Sequence, residues 1–274
     1  MQQEEHLGSD GLVARDSGAW AKEKLYYLER YLDIVSVGMK RKWAGRLYYV
    51  DLFAGPGKCR IRGSSEEFDG SPLIALKFNF AKYFFVEVDE ECYAALKARV
   101  EARAPEKDVE ILLGDCNDVI HKVKPPPHGL GLAFVDPTGV SPLAFDTIRK
   151  LAQDRKIDLI INFHEGMGIR MNLGQYTKSA ANALDRFMGS SRWKERYRES
   201  LESFDQVCSG IAKEYLGNLR SLGYLAFDSD RIPVRSDQNT LLYYLLFASK
   251  HPRGNDLWRK MKQIGPHGER GLFS

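Results

Sequence analysis

The sequence predicts an α/β protein built on a doubly wound, mostly parallel sheet. Three observations predict it. Five short apolar runs, rich in β-branched and aromatic residues, stand at 47–52, 83–88, 109–113, 131–135 and 157–163, the pattern of strands buried on both faces. Helical patterns fall between them, in "SPLIALKFNF", "DEECYAALKARVEARA", "NDVIHKV" and "SPLAFDTIRKLAQDR", which makes parallel βαβ units. Two late runs, "YLAFDSDRIPV" and "TLLYYLLFASKH", are joined by the polar turn "RSDQN", and strands joined so closely are antiparallel neighbours.

In chain order, residues 1–45 form a helical extension in which Leu25, Leu28, Leu32 and Val35 recur at helical spacing over about 19–37, with Ser17 as cap. Residues 46–250 carry the sheet. Within them the alternation stops after Phe163, and a stretch from 172 to about 216, mostly helical and polar, reads as an insertion at about 170–218. Residues 251–274 form a basic tail.

The chain has 274 residues, 43% of them hydrophobic and 28% charged, the balance of an ordinary globular protein, with no apolar run long enough to span a bilayer. The amino-terminal stretch has no apolar core of the kind a secretory signal needs, so a cytoplasmic address is expected. Cys59, Cys92, Cys116 and Cys208 stand far apart, as reduced thiols with no metal role. A net charge of +3 does not by itself mark a nucleic-acid binder, but its distribution nominates residues. Arg192, Trp193, Lys194 and Arg196 interleave cations with an aromatic ring, Arg259 and Lys260 lie in the basic tail, and Arg60 and Arg62 follow a glycine turn. Trp193 and Tyr197 either stack on bases or point into the core.

That turn, in "YYVDLFAGPGKCRIRGSSEEFDGSP", is the most informative stretch. A phosphate-binding loop would need glycine at Leu52 and Ser or Thr at Cys59, and a dinucleotide fingerprint would need glycine at Arg60 with an acidic ribose partner about 20 residues on. Here the next strand-end acid, Glu87, comes 36 residues after Asp51, and the next helix start is Ser71-Pro72, beyond a charge-polarised loop that reads as a flap. The separation of turn and helix favours a nucleoside without a diphosphate. S-adenosylmethionine fits the acids at consecutive strand ends. Asp51 with Ala54, Gly55 and Gly57 would face its amino-acid end, Glu87 its ribose hydroxyls, Val88 its adenine, Asp115 with Cys116 the adenine amine, and Asp136 the reacting end.

The series "YVDLFAGPG", "FFVEVDE", "LLGDCND" and "LAFVDPTG" resembles class I S-adenosylmethionine-dependent methyltransferases over 47–139. With "WAKEKLYYLERYL", "GSPLIAL", "DLIINFHEGMGI" and "YYLLFASKHPRGNDLW" it is similar to the bacterial three-Cys-motif partner protein family. The resemblance implies a Rossmann-like seven-strand sheet with a reversed last strand, and a three-cysteine radical-SAM-like protein as partner. Enzymes of this class that methylate an amino nitrogen carry Asp or Asn, two prolines and an aromatic after the fourth strand. Asp136-Pro137-Thr138-Gly139 keeps the acceptors and lacks the second proline and the ring. Phe163 would supply the stacking, and His164 would handle a proton or simply close its strand. Asp136, Pro137, Thr138 and His164 are thus the expected catalytic group. Three functions stay open: methyl transfer to nucleic acid, an auxiliary partner subunit, and a nucleic-acid-binding module. DNA, RNA, protein and small molecules all remain open as acceptors.

Overall fold

A computed structural model describes residues 6–178, 181–199 and 204–265. Twelve strands and ten helices are present among them. The chain begins with β1 (His6–Leu7) and β2 (Val13–Ser17), then α1 (Ala21–Gly38) and β3 (Leu47–Asp51). After the glycine turn come β4 (Lys58–Ile61), β5 (Glu67–Asp69) and α2 (Ser71–Ala75). The βαβ units continue through β6 (Lys82–Glu87), α3 (Glu90–Arg103), β7 (Val109–Leu113), α4 (Cys116–Val119), β8 (Leu130–Val135), α5 (Phe145–Ala152) and β9 (Lys156–Phe163). A π-helical turn at Glu165–Arg170 opens the helical region of α6 (Met171–Tyr176), α7 (Ala183–Met188), α8 (Trp193–Glu199) and α9 (Phe204–Ser221). The chain ends with β10 (Leu225–Ala226), β11 (Ile232–Arg235), β12 (Leu241–Ser249) and α10 (Pro252–Lys262).

The main sheet has the order β7-β6-β3-β8-β9-β12, with β10 and β11 both pairing along the far side of β12. Strands β3, β6, β7, β8 and β9 are parallel and β12 is reversed. Counting β10 and β11 as two halves of one edge strand gives seven positions, the expected class I methyltransferase-like arrangement. The edge strand breaks where Asp228–Asp230 form a 3₁₀ turn, and Pro233 sits on the sheet's edge, where a missing N–H costs no ladder bond.

Both faces of the sheet are covered, so successive strand residues enter opposite cores. Tyr48 and Val50 pack on α4, α5 and the helical region, while Leu47 and Tyr49 pack with α1, α2 and α10. This explains the unbroken apolar runs in the sequence. The first and last helices share the second core: Tyr31 of α1 meets Phe247 and Trp258 edge-on at 5.0 and 5.6 Å, and Phe247 stacks on Trp258 at 4.7 Å.

The amino-terminal segment differs from the expectation of helix alone. Ser17, expected as a helix cap, ends β2, and α1 starts without a side-chain cap. The expected flap after the glycine turn is also ordered structure, because β1, β2, β4 and β5 form a second sheet in that order. Alternating charge in "KCRIRGSSEEFD" hides the strands, since its polar residues are consumed by pairing. Lys58 meets Glu67 at 2.8 Å, Arg60 meets Asp16 at 3.3 Å, and Arg103 meets Asp69 at 2.7 Å.

Arg99 of α3 locks this small sheet onto the main one. It is buried, binds Asp10 through Nε and Nη2 at 2.9 and 2.8 Å, and donates to the carbonyls of Val13 and Pro56 at 2.7 and 2.6 Å. The Arg99 guanidinium holds the Asp10 carboxyl well below the usual carboxylate range. Arg99→Met is expected to cost about 3–5 kcal/mol in urea unfolding, because it strands a carboxylate and several carbonyls.

Candidate functional site

The strand ends of the main sheet bring the expected acids together around the glycine turn. Gly55 and Gly57 have φ of +64° and +88°, which only glycine adopts without strain. A side chain on Gly57 would also press within 3.1–3.2 Å of Leu96 and Leu73. Glu87, at the end of β6, is buried and accepts from the Gly55 N–H at 2.6 Å and from the Val88 and Asp89 N–H groups at 2.9 and 3.0 Å. The cap of α3 is Asp89, which accepts from the Cys92 N–H at 2.8 Å, so Glu87 is left to face the turn.

Helix α2, expected to stand away from the glycine turn, lies against it. The Gly70 N–H donates to the Gly57 carbonyl at 2.7 Å, so α2 begins beside the turn although twelve residues separate Gly57 from Gly70 in the chain. The small-sheet excursion intervenes in sequence and not in space. What disfavours a diphosphate is the pair of acids that line the cavities, Glu87 and Asp136, not distance from a helix.

Two cavities flank this turn. One, of about 130 Å³, is lined by Phe53, Glu87, Val88, Asp115, Cys116 and Thr138. The other, of about 60 Å³, is lined by Lys24, Gly55, Gly57, Ser71 and Asp136, with Ala54 in its wall. Arg15 of β2 lines both, its Cζ 3.6 Å from the place a Gly55 Cβ would take, and it has no ion-pair partner among the described residues. Val88 is 67% exposed, an apolar surface beside an acid. Asp115 caps α4 through the Asn117 N–H at 2.8 Å, and its exposed side chain keeps acceptor capacity toward the cavity.

Asp51 lies beneath the turn, fully buried, and accepts from the Phe53 N–H at 3.2 Å and the Tyr49 hydroxyl at 3.3 Å. Burial pushes its carboxyl up to about 7, against the pull of Ser71 and the Phe53 N–H.

Asp136 follows β8 and is held by two groups the sequence analysis did not nominate. Its Oδ2 meets Lys24 Nζ of α1 at 2.5 Å and its Oδ1 accepts from Asn162 Nδ2 at 2.6 Å. Burial pushes the carboxyl up, but Lys24, Asn162 and His164 outweigh it and leave Asp136 below its ordinary value. His164 Nε2 lies 2.6 Å from the Pro137 carbonyl, and burial lowers its affinity for a proton. This contact ties His164 to the Pro137 carbonyl. Asn162 Oδ1 and the Tyr243 hydroxyl are buried without a partner beside this cluster, and Lys24 Nζ sits 5.7 Å from the Tyr243 ring.

Phe163 cannot stack on a base. It is fully buried against Phe187 and Tyr215, at 5.7 and 5.3 Å. Trp193 is likewise a core residue, its indole donating to Asp185 at 2.8 Å, and the Lys194 ammonium meets the same carboxylate at 2.5 Å. Arg259 is engaged by Asp230 at 2.8 and 3.0 Å, whereas Arg62, Arg192 and Lys260 are exposed. The Arg196 side chain lies outside the described residues. The nucleic-acid candidates therefore stand on three separate elements, and about half are used internally.

Of the residues missed, Asn162 carried a signal, as a lone amide in the apolar run "LIINF". Lys24 and Arg15 carried none, since an ordinary charged helix face and a short strand look the same wherever they dock.

The raised carboxyl of Asp51 sets a pH dependence. Its folded value lies above the unfolded 3.8, so folding takes up a proton between these values. Stability from this group is complete below pH 4, falls as pH rises through about 7, and is level beyond. Urea unfolding from pH 4 to 8 is expected to show a fall of up to about 1.4 kcal/mol per unit. Asp51→Asn should remove its share of the fall, most clearly between pH 6 and 7, and leave the part below pH 6 that Asp158, raised to about 6, contributes.

No protein-family model matches the chain, and no curated protein matches it. Solved structures do. Protein LPL1258 of Legionella pneumophila str. Philadelphia 1, of family DUF519, is 11% identical over 93% of this chain and 94% of its own, with a TM-score of 0.55. The O-methyltransferase TomG of Streptomyces achromogenes, solved with SAM, is 11% identical over 87% and 92%, at a TM-score of 0.43. Magnesium protoporphyrin IX methyltransferase of Synechocystis PCC 6803, solved with SAH, is 10% identical over 83% and 86%, at 0.41. At such identities the likeness shows the fold alone.

Proposed function

We propose that the chain is an S-adenosylmethionine-dependent methyltransferase acting on an amino nitrogen of a nucleic acid. The observation that carries this reading is the Lys24–Asp136 contact at 2.5 Å: the chain's own amino group lies against a carboxylate at the strand-end position where an acceptor amine would be held. Asn162 Oδ1 and the Tyr243 hydroxyl, buried and unpartnered beside it, are groups an incoming amine would satisfy.

The residues around the turn suit the cofactor. Glu87 offers lone pairs to a ribose diol, Val88 an apolar face to adenine, and Asp115 an acceptor to its amine. Arg15 supplies an unpaired cation for a carboxylate. When bound, the cofactor would supply an electrophilic methyl group on a sulfonium. The protein's part is positioning: Asp136, ionised, accepts an N–H of the acceptor and turns its lone pair toward the donor, with Lys24 displaced. The proton that the acceptor nitrogen gives up leaves to solvent. Arg62, Arg192 and Lys260 are the exposed cations for phosphate contacts.

The same contact favours a second reading. An Asp136 permanently sealed by Lys24 would make the chain an auxiliary cofactor-binding subunit, and the resemblance to three-Cys-motif partner proteins supplies the partner, a three-cysteine radical-SAM-like protein.

Calorimetric titration of S-adenosylmethionine should give micromolar binding that Glu87→Ala abolishes. Labelled-methyl transfer to RNA and DNA pools should then be detected, with Asp136→Asn lowering it about 100-fold while binding persists. Cofactor binding without transfer to either pool moves the auxiliary reading to first place. Failure to bind at millimolar cofactor removes both.

A further inference from the structure

An apolar cavity lies at the other end of the sheet. It has a volume of about 360 Å³, within the ordinary range of small-molecule sites, and is bounded by α1, α10, the first residues of β8 and β9 and the last of β12. Asp51, Glu87 and Asp136 lie at or just beyond the opposite, carboxyl ends of their strands. The cavity is therefore separated from them by the length of β8, six residues or about 20 Å.

Its composition is specific. Tyr31, Val35 and Met39, one face of α1, form an apolar wall with Leu257 opposite. The mouth carries Lys42, Lys156 and Arg253, none of which has an ion-pair partner among the described residues. Trp43 stands between them, with Lys156 Nζ 5.4 Å and Lys42 Nζ 5.9 Å from its ring. Like charges gathered on one rim repel each other, and a bound anion relieves that repulsion. Asp158 is the one acid lining the cavity. It is buried, accepts from the Tyr31 hydroxyl at 3.0 Å, and burial pushes its carboxyl up to about 6. Helix α10 comes so close here that a side chain on Gly254 would collide with Ser249 and approach Asp158.

An occupant suited to this lining has three features: an apolar body, an anionic group at the mouth, and a hydrogen-bond donor for the lone pairs that Asp158 keeps beside its bonds to Tyr31 and Ser249. A fatty acid fails the third and a polyanion is repelled by Asp158. A planar base with an exocyclic amine, a sugar and one phosphate meets all three. Lys156 and Asp158 stand on one face of β9, about 7 Å apart along the strand, and the lysine's reach extends that to the span from base edge to phosphate.

We infer that this cavity is a second ligand site, for a nucleoside monophosphate unit, with its base against the apolar wall and Asp158 and its phosphate on Lys42, Lys156 and Arg253. The unit is either a free nucleotide or the end of a nucleic-acid strand. The inference does not rest on methyl transfer.

The test is calorimetric titration of each of the four nucleoside 5′-monophosphates into the full chain, with Lys156→Glu, Lys42→Glu and Glu87→Ala as variants. At least one nucleotide is expected to bind with a Kd of about 1 mM or tighter. That binding should weaken about tenfold in either lysine variant and be unchanged in Glu87→Ala. Leu257→Trp, which fills the cavity, should abolish it. A pentanucleotide that binds at least tenfold tighter, with the same lysine dependence, identifies a strand end; equal or weaker binding identifies a free nucleotide. The inference is overturned if no monophosphate binds at about 5 mM. It is equally overturned if binding survives both lysine substitutions, or is lost in Glu87→Ala and so belongs to the other end of the sheet.

Discussion

The turn at Gly55, Pro56 and Gly57 is clamped from three sides by hydrogen bonds. Glu87 takes the Gly55 N–H, Gly70 donates to the Gly57 carbonyl, and Arg99 donates to the Pro56 carbonyl. Each clamp ties a different part of the chain to one point: the neighbouring strand, the start of α2, and the small sheet through Asp10. A turn in positive φ would otherwise sample many conformations, and its rigidity here is what gives the strand-end acids a fixed geometry. The small sheet exists in the same sense, since its strands pair across the residues that leave and return to the turn.

Charge at the carboxyl end of the sheet is arranged in two different ways. Asp51 has hydrogen bonds but no cation, and burial wins, so it holds its proton near neutrality. Asp136 is also buried and has Lys24 against it, and the cation wins. One buried acid thus keeps a share of its proton near neutrality while the other is held below its ordinary value by a cation. The ammonium that lowers the Asp136 carboxyl also occupies it, and in the proposed function a substrate amine competes there with a residue of the first helix. Helix α1 therefore contributes to the strand-end cluster as well as to the second core.

The parallel strands were legible because each is buried on both faces, which forces a continuous apolar run, and the observed bounds of β3, β6, β7, β8 and β9 fall within one residue of those expected. The reversed last strand was legible from the short polar turn before it. β1, β2, β4 and β5 were not, because their polar side chains pair with one another and leave no apolar period to read. α2 stops at Ala75, five residues short of its apolar pattern, because Leu76 and Phe80 are buried by the second core without needing helical geometry. The same ambiguity misplaced Phe163 and Trp193, since an aromatic among polar residues reads alike whether it faces ligand or core.

The sequence by itself determined the doubly wound sheet, the glycine turn and the acids that end its strands, because these depend on local chain chemistry: period, backbone freedom and residue type. The tertiary structure alone decided which groups those acids meet. Lys24 stands 112 residues from Asp136 and Arg99 stands 89 from Asp10. Contacts at such separations depend on how helices and sheets pack against one another, and packing is a property of the whole core that no local pattern encodes. It also decided that Lys42, Lys156 and Arg253, without ion-pair partners among the described residues, share a cavity with the buried Asp158 at the far end of the sheet, where no motif marks them.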